Sequence, residues 1–255
     1  MILRDVVLAL ERIAPTSLAE GWDNVGLLVG DPRAGVERAL VTIDCTSEVA
    51  EEARRRGCEL VVAYHPTIFA PLKRIAHDGP VALAIAHGIA IYSPHTALDA
   101  ARGGTNDVLA DVAGIEERRP LRPSAADGAL GMGRIGRVAA DRRSLIERVR
   151  RGLGVDRLLV AGPGEGPASC CAVVAGAPGE LLFSAMDAGA DVIVTGEVRH
   201  HDALAAAARG VTVICALHSH SERVALASYR ARIAERAPGL DVAASELDRD
   251  PFVIA

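Results

Sequence analysis

At 255 residues, half of them hydrophobic, the chain can build one large domain or two medium lobes around a substantial core. A formal net charge of −5 excludes the basic stripe that a nucleic-acid surface needs, and aromatics at 3% exclude rows of stacking side chains for single strands. No run of about 18 apolar residues occurs, so no membrane span is expected.

The first stretch, MILRDVVLALERIAP, has Arg4, Asp5 and Glu11 breaking its apolar run. It reads as an amphipathic helix with Val6, Val7, Leu10 and Ile13 on one face, ended by Pro15, and not as a signal peptide. GWDNVGLLVGDP then suggests a tight turn feeding a strand, with Asp23 as a turn-forming residue. A strand over 39–44, a helix over 47–56 and a strand over 59–64 make a β-α-β unit, which favours a parallel sheet. A helix over 80–87 and a strand over 89–92 follow. Gly103 to Asp107 then cap a helix over 108–113.

Residues 116–131 are rich in charge, Pro and Gly and read as a linker. Strands over 134–140, 158–161, 172–176, 192–195 and 211–217 alternate with helices over 144–152, 180–188 and 199–209, and a long helix closes the series. The pattern is an internal repeat. VTIDCTSEVAEEARRRGCELVVAYH aligns with VVAGAPGELLFSAMDAGADVIVTGE at an offset of 132, placing Gly57 on Gly189 and His65 on Glu197. GIAIYSPHTALD aligns with GVTVICALHSHSE with one residue of slippage. The expected fold is α/β, with two similar three-layer lobes. Residues 1–116 and about 215–255 form the first, about 131–214 the second, and 117–130 the linker.

Both copies end a strand on a histidine and place a carboxylate four residues later, Asp99 after His95 and Glu222 after His218. Imidazole and carboxylate at the carboxyl ends of strands can hold a divalent metal, so His65, His95, Asp99, His218 and Glu222 are candidates. The structural alternative is that Ser219 or Ser221 caps a helix and the histidines are surface polar groups. His200 and His201 open a helix at another strand end and serve either reading. GMGRIG has dinucleotide spacing but follows a linker and precedes a strand, so it is set aside. Cys45, Cys58, Cys170, Cys171 and Cys215 form no CxxC and read as small core residues of a reducing, cytoplasmic protein.

GWDNVGLLVGDP, VVAYHPTIF, YSPHTALDAARGGTND, GMGRIG, VTGEVRHHDAL and LHSHSER cover nearly the whole chain in order. Together they resemble the Nif-three-like family, whose members are known as type 2 GTP cyclohydrolase I homologues. The resemblance implies a two-lobed subunit with a dinuclear metal centre in the cleft between the lobes. It also implies a toroidal homohexamer, here in a short form without an inserted extra domain. His65, Asp99 and Glu222 would hold one ion, and His218 and Glu222 the second, with Glu222 bridging and His95 beside the site. Tyr64 stands where many bacterial members have a first histidine, and a phenol with pKa about 10 is a poorer ligand. The second ion would then be weak, absent or completed by water or by His200, His201 or His220. One or two divalent ions per subunit are expected, with Zn, Fe, Mn and Co equally suited to such ligands. Two functions follow from the resemblance. One is a metal-dependent hydrolase acting on a nucleotide-like small molecule. The other is a non-catalytic metal-binding interaction or metal-handling protein.

Overall fold

The computed structural model describes residues 1–253. In chain order it runs α1 (Leu3–Ile13), β1 (Gly26–Val29), β2 (Arg38–Thr42), α2 (Ser47–Arg55), β3 (Leu60–Ala63), α3 (Pro80–His87), β4 (Ala90–Ser93) and α4 (His95–Ala100). It continues through α5 (Thr105–Ala113), β5 (Glu116–Pro123), β6 (Gly131–Asp141), α6 (Arg142–Gly152), β7 (Leu159–Ala161) and β8 (Pro167–Val174). Then come α7 (Leu181–Asp187), β9 (Val192–Thr195), α8 (His200–Ala208), β10 (Thr212–Cys215), α9 (His218–Arg223), α10 (Leu226–Arg236) and β11 (Asp241–Ala244). The chain divides into two units, residues 1–101 with 226–255 and residues 102–225.

The first unit is a five-stranded sheet in the order β1-β4-β3-β2-β11, parallel except for β1 at its edge. Along β3, Leu60 and Val62 join a core with Leu10 of α1 and Ile233 of α10, while Val61 and Ala63 join one with Val49 of α2 and Ala84 of α3. Helices therefore cover both faces, which is why β3 reads as an unbroken apolar run instead of an alternating one. Thr46 caps α2 by accepting the Val49 N–H at 3.2 Å.

The second unit has six strands in the order β5-β6-β8-β9-β10-β7. Val192 and Val194 of β9 face a core with Leu109 of α5 and Leu145 of α6, and Ile193 faces one with Leu182 of α7 and Ala206 of α8. The three-layer expectation holds in each unit.

The repeat is visible in the strand register. β2 pairs with β3 from Ala39↔Leu60 to Thr42↔Ala63, and β8 pairs with β9 from Cys171↔Val192 to Val174↔Thr195, each residue 132 positions on. The third strands correspond as well, with Leu60↔Ala90 in one unit and Val192↔Thr212 in the other. Gly57 and Gly189, the aligned glycines, both take left-handed backbone, at φ +64° and +89°. In each unit a short antiparallel edge strand, β1 or β7, pairs with the third.

Several expected boundaries are corrected. The first half of the 117–130 linker is strand, because β5 pairs antiparallel with β6 from Glu116↔Arg137 to Pro123↔Gly131. The second unit begins at Arg102 and not near 131, since Leu109 and Ala113 of α5 belong to the β8–β9 core. The chain returns to the first unit at Leu226 and not near 215, because Tyr229 and Ile233 pack into the core with α1. The closing helix is broken into α9 and α10, and β11 adds a strand beyond it.

GMGRIG lies within β6, so the dinucleotide spacing has no helix behind it. The five cysteines are free thiols, and burial pushes those of Cys45 and Cys215 up to about 11, as suits inert core residues. Among the described residues no helix is long and apolar enough to cross a membrane.

Candidate metal centre

In the first unit the candidate residues gather where β2, β3 and β4 end. Tyr64 and His65 follow β3 directly, and their backbone N–H groups bond to Thr42 and Ile43 carbonyls at 2.9 and 3.0 Å, so the sheet extends to them. His65 Nδ1 lies 2.9 Å from Asp44 Oδ1. A carboxylate only accepts, so the imidazole proton sits on Nδ1 and Nε2 carries the lone pair. Tyr64 is buried and its hydroxyl donates to Asp99 Oδ1, on α4. The phenol hydroxyl thereby positions the buried Asp99 carboxylate.

His95 opens α4 at φ +30°, an uncommon conformation for a residue with a Cβ. Its Nδ1 lies 2.8 Å from Asp23 Oδ1, while Asp23 Oδ2 accepts from the Thr96 hydroxyl at 2.5 Å and backbone N–H at 3.2 Å. Burial opposes the Asp23 charge, but the bonds from His95 and Thr96 outweigh it and hold this carboxyl below its ordinary value. Asp23, read from sequence as a turn former, is thus the partner that orients His95. The His65 and His95 rings meet edge to face at 5.4 Å, and Tyr64 lies 5.9 Å from His95.

In the second unit β10 ends two residues before Leu217, which takes φ +69° and turns the chain into α9. Leu217 immediately precedes His218, the repeat counterpart of His95, so both units place a residue of positive φ at the strand-to-helix junction. Backbone strain of this kind, of order 1–3 kcal/mol, is kept where the surroundings enforce it and clusters at working sites. His218 Nδ1 lies 3.0 Å from Glu197 Oε1, and its Nε2 lies 3.2 Å from Oε1 of the buried Glu222 one turn on. The Ser221 hydroxyl accepts the Gly176 N–H at 2.8 Å and donates to the His218 carbonyl at 2.7 Å, locking α9 to the end of β8. A Cβ on Gly176 would come within 2.6 Å of Glu222 Oε1 and 3.2 Å of His218 Nε2, so only glycine leaves these two ligand atoms their place. A cavity of about 700 Å³ beside Glu197 is lined by Pro178, Glu180, Phe183, Arg199 and Asp202.

The residues fit a divalent ion. His65 and His218 each offer Nε2 because a carboxylate holds Nδ1, the usual support for a metal-binding imidazole, and Asp99 and Glu222 are buried carboxylates. Of the other candidates, His220 is half-buried on α9. His200 and His201 are exposed in the first turn of α8 with their rings 5.4 Å apart. Among the described residues neither hydrogen-bonds to His218 or Glu222. Sequence reasoning missed the orienting residues Asp44, Asp23 and Glu197. Asp44 and Glu197 both stand just past strand ends that the repeat aligns, and that position was the available signal.

A family model described as Duf34/NIF3 (NGG1p interacting factor 3) matches residues 1–251. NIF3-like protein 1 of Drosophila melanogaster is 36% identical over 261 residues, covering 98% of this chain and 88% of that protein. The GTP cyclohydrolase 1 type 2 homolog of Clostridium perfringens is 32% identical over 259 residues, covering 99% of both. Among solved structures, a Bacillus cereus protein related to NIF3 superposes with a TM-score of 0.93 at 23% identity, covering 100% of this chain and 99% of that one. Staphylococcus aureus protein SA1388 superposes with a TM-score of 0.91 at 26% identity, with the same coverage.

Proposed function

The chain belongs to the Duf34/NIF3 family, and from that premise we propose that it is a divalent-metal-binding protein working as a metal-dependent hydrolase on a nucleotide-like small molecule. The proposed ligands are His65, His218 and Glu222, with Asp99 a further ligand that the family resemblance adds and Glu222 bridging where a second ion binds. The observation that carries the reading is the matched pair of carboxylate-held imidazoles, His65 on Asp44 and His218 on Glu197. Borderline imidazole and hard carboxylate donors suit Zn, Fe, Mn or Co.

A divalent ion bound there supplies Lewis acidity and brings the pKa of a nearby water toward neutrality. The chain's own residues do the rest. Tyr64 holds Asp99 in one orientation through its hydroxyl. His95, whose Nδ1 lies 2.8 Å from Asp23, presents Nε2 as the group that can take a proton from water. The nucleotide class is supported by the name of the Clostridium relative.

Purified protein supplied with Mn²⁺ or Zn²⁺ is expected to release product from GTP or from a panel of phosphoesters. Glu222→Gln and Asp99→Asn should each abolish that release. Turnover that survives both substitutions would contradict the reading.

One observation favours a second reading, metal handling without turnover. Tyr64 donates to Asp99 where a stronger ligand would stand, which suits a single exchangeable ion. Transfer of metal to an acceptor chelator, with no product from any substrate, would select it.

A further inference from the structure

Trp22 is the only tryptophan of the chain, and 61% of it is exposed; Phe69 is 56% exposed. Their ring centroids lie 5.9 Å apart with planes at 58°, forming an open aromatic corner. Trp22 also meets the His95 ring edge-on at 6.1 Å, and His95 in turn meets His65. The corner is built and not incidental. Asp23, the next residue, is clamped by His95 and Thr96, and the Asn24 side-chain amide donates to the Ile68 carbonyl at 2.5 Å. The turn carrying Trp22 is thereby tied to the loop carrying Phe69.

An exposed indole face held rigidly beside a candidate centre invites a flat partner, since stacking is strongest between extended planar rings. Four and five residues past Phe69 stand Lys73, the only lysine, and Arg74, both exposed and within about 18 Å of chain reach. In a chain of net charge −5 this pair of adjacent cations favours an anionic ligand.

We infer that Trp22 and Phe69 are the base-stacking platform of a nucleotide site. The planar base lies on the indole face with Phe69 as the side wall, and Lys73 and Arg74 meet the phosphates. A single platform of this size takes one base, while a single-stranded nucleic acid needs successive aromatics and a basic groove. The inference rests on the nucleotide reading of the adjoining site.

The lone tryptophan makes the test direct. Its fluorescence is titrated with GTP, ATP, guanosine and inorganic triphosphate, with and without added Mn²⁺, while calorimetry measures binding independently in the wild type and in Trp22→Phe, Trp22→Ala and Phe69→Ala. The expected result is quenching by both nucleotides and by guanosine but not by triphosphate. Affinity should fall about ten-fold or more in Trp22→Ala and be largely retained in Trp22→Phe. Phe69→Ala should weaken binding by a smaller factor. Nucleotide binding seen by calorimetry without quenching, and unchanged in Trp22→Ala, would overturn the platform while leaving the nucleotide reading intact. No binding of any nucleotide, with or without metal, would overturn both.

Discussion

Three candidate ligands are held by a neighbouring side chain, His65 by Asp44, His218 by Glu197 and Asp99 by Tyr64. His65 and His218 owe their tautomer to Asp44 and Glu197, so Asp44→Asn or Glu197→Gln should weaken metal binding about 10- to 100-fold without unfolding the protein. Chelator competition checks this; unchanged affinity in both would mean that the carboxylates do not orient the ligands. Gly176→Ala should weaken metal binding at preserved secondary structure, because its Cβ would press within 2.6 Å of Glu222 Oε1. The Tyr64 hydroxyl donates a hydrogen bond to Asp99, so Tyr64→His, which puts an imidazole there, should raise the metal content per chain. Elemental analysis that shows no rise would place position 64 outside the coordination sphere. These roles were only half legible in the sequence. The ligands themselves stand out as histidines and carboxylates at strand ends. Asp23 does not, because its burial and its grip on His95 come from a contact 72 residues away along the chain.

At the level of elements, the strands with apolar runs and the helices between them were legible because both faces of each sheet are covered. What escaped was structure whose pattern does not mark it. Apart from Pro120 and Leu121, the residues of β5 are exposed, and its pairing with β6 satisfies a backbone that composition assigned to a linker. β11 is four half-exposed or exposed residues, recognisable only by its parallel pairing with β2. One buried ion pair joins α5 to β6. Arg134 Nε donates to Asp107 Oδ1 at 2.6 Å and Nη2 to Oδ2 at 3.2 Å, while the Gly103 N–H meets Oδ2 at 2.6 Å. Burial would raise the Asp107 pKa, but the Arg134 bond and charge, Gly103 and Arg118 together hold it below the ordinary value. A depressed carboxyl stabilises the fold at neutral pH, and this contribution is lost as pH falls below the ordinary Asp value of about 3.9 and through the folded one. Asp107→Asn should cost about 3–5 kcal/mol at pH 7, because it removes the buried carboxylate charge that Arg134 and Arg118 share. The loss should shrink toward acid pH. Urea denaturation at both pH values checks this, and a loss independent of pH would show that the pair's charge is not what matters.

For the whole molecule, the repeat gives each unit a matching set of strand ends. At the aligned strand ends the first copy carries Asp44 and His65, and the second carries Gly176 and Glu197. Duplication has therefore left one copy an imidazole and its orienting carboxylate, and the other an open position and a carboxylate that serves His218. The family resemblance implies a homohexamer, which we propose for this chain, and light scattering should then give six times the 26.6 kDa chain mass. The central claim is the proposed one, that His65, His218 and Glu222 hold a divalent ion. Metal stoichiometry in purified wild type, His65→Ala and Glu222→Gln tests it most directly. The account predicts between one and two ions per chain in the wild type and a clear loss in each variant. Full metal content in either variant, with the fold unchanged, would contradict it.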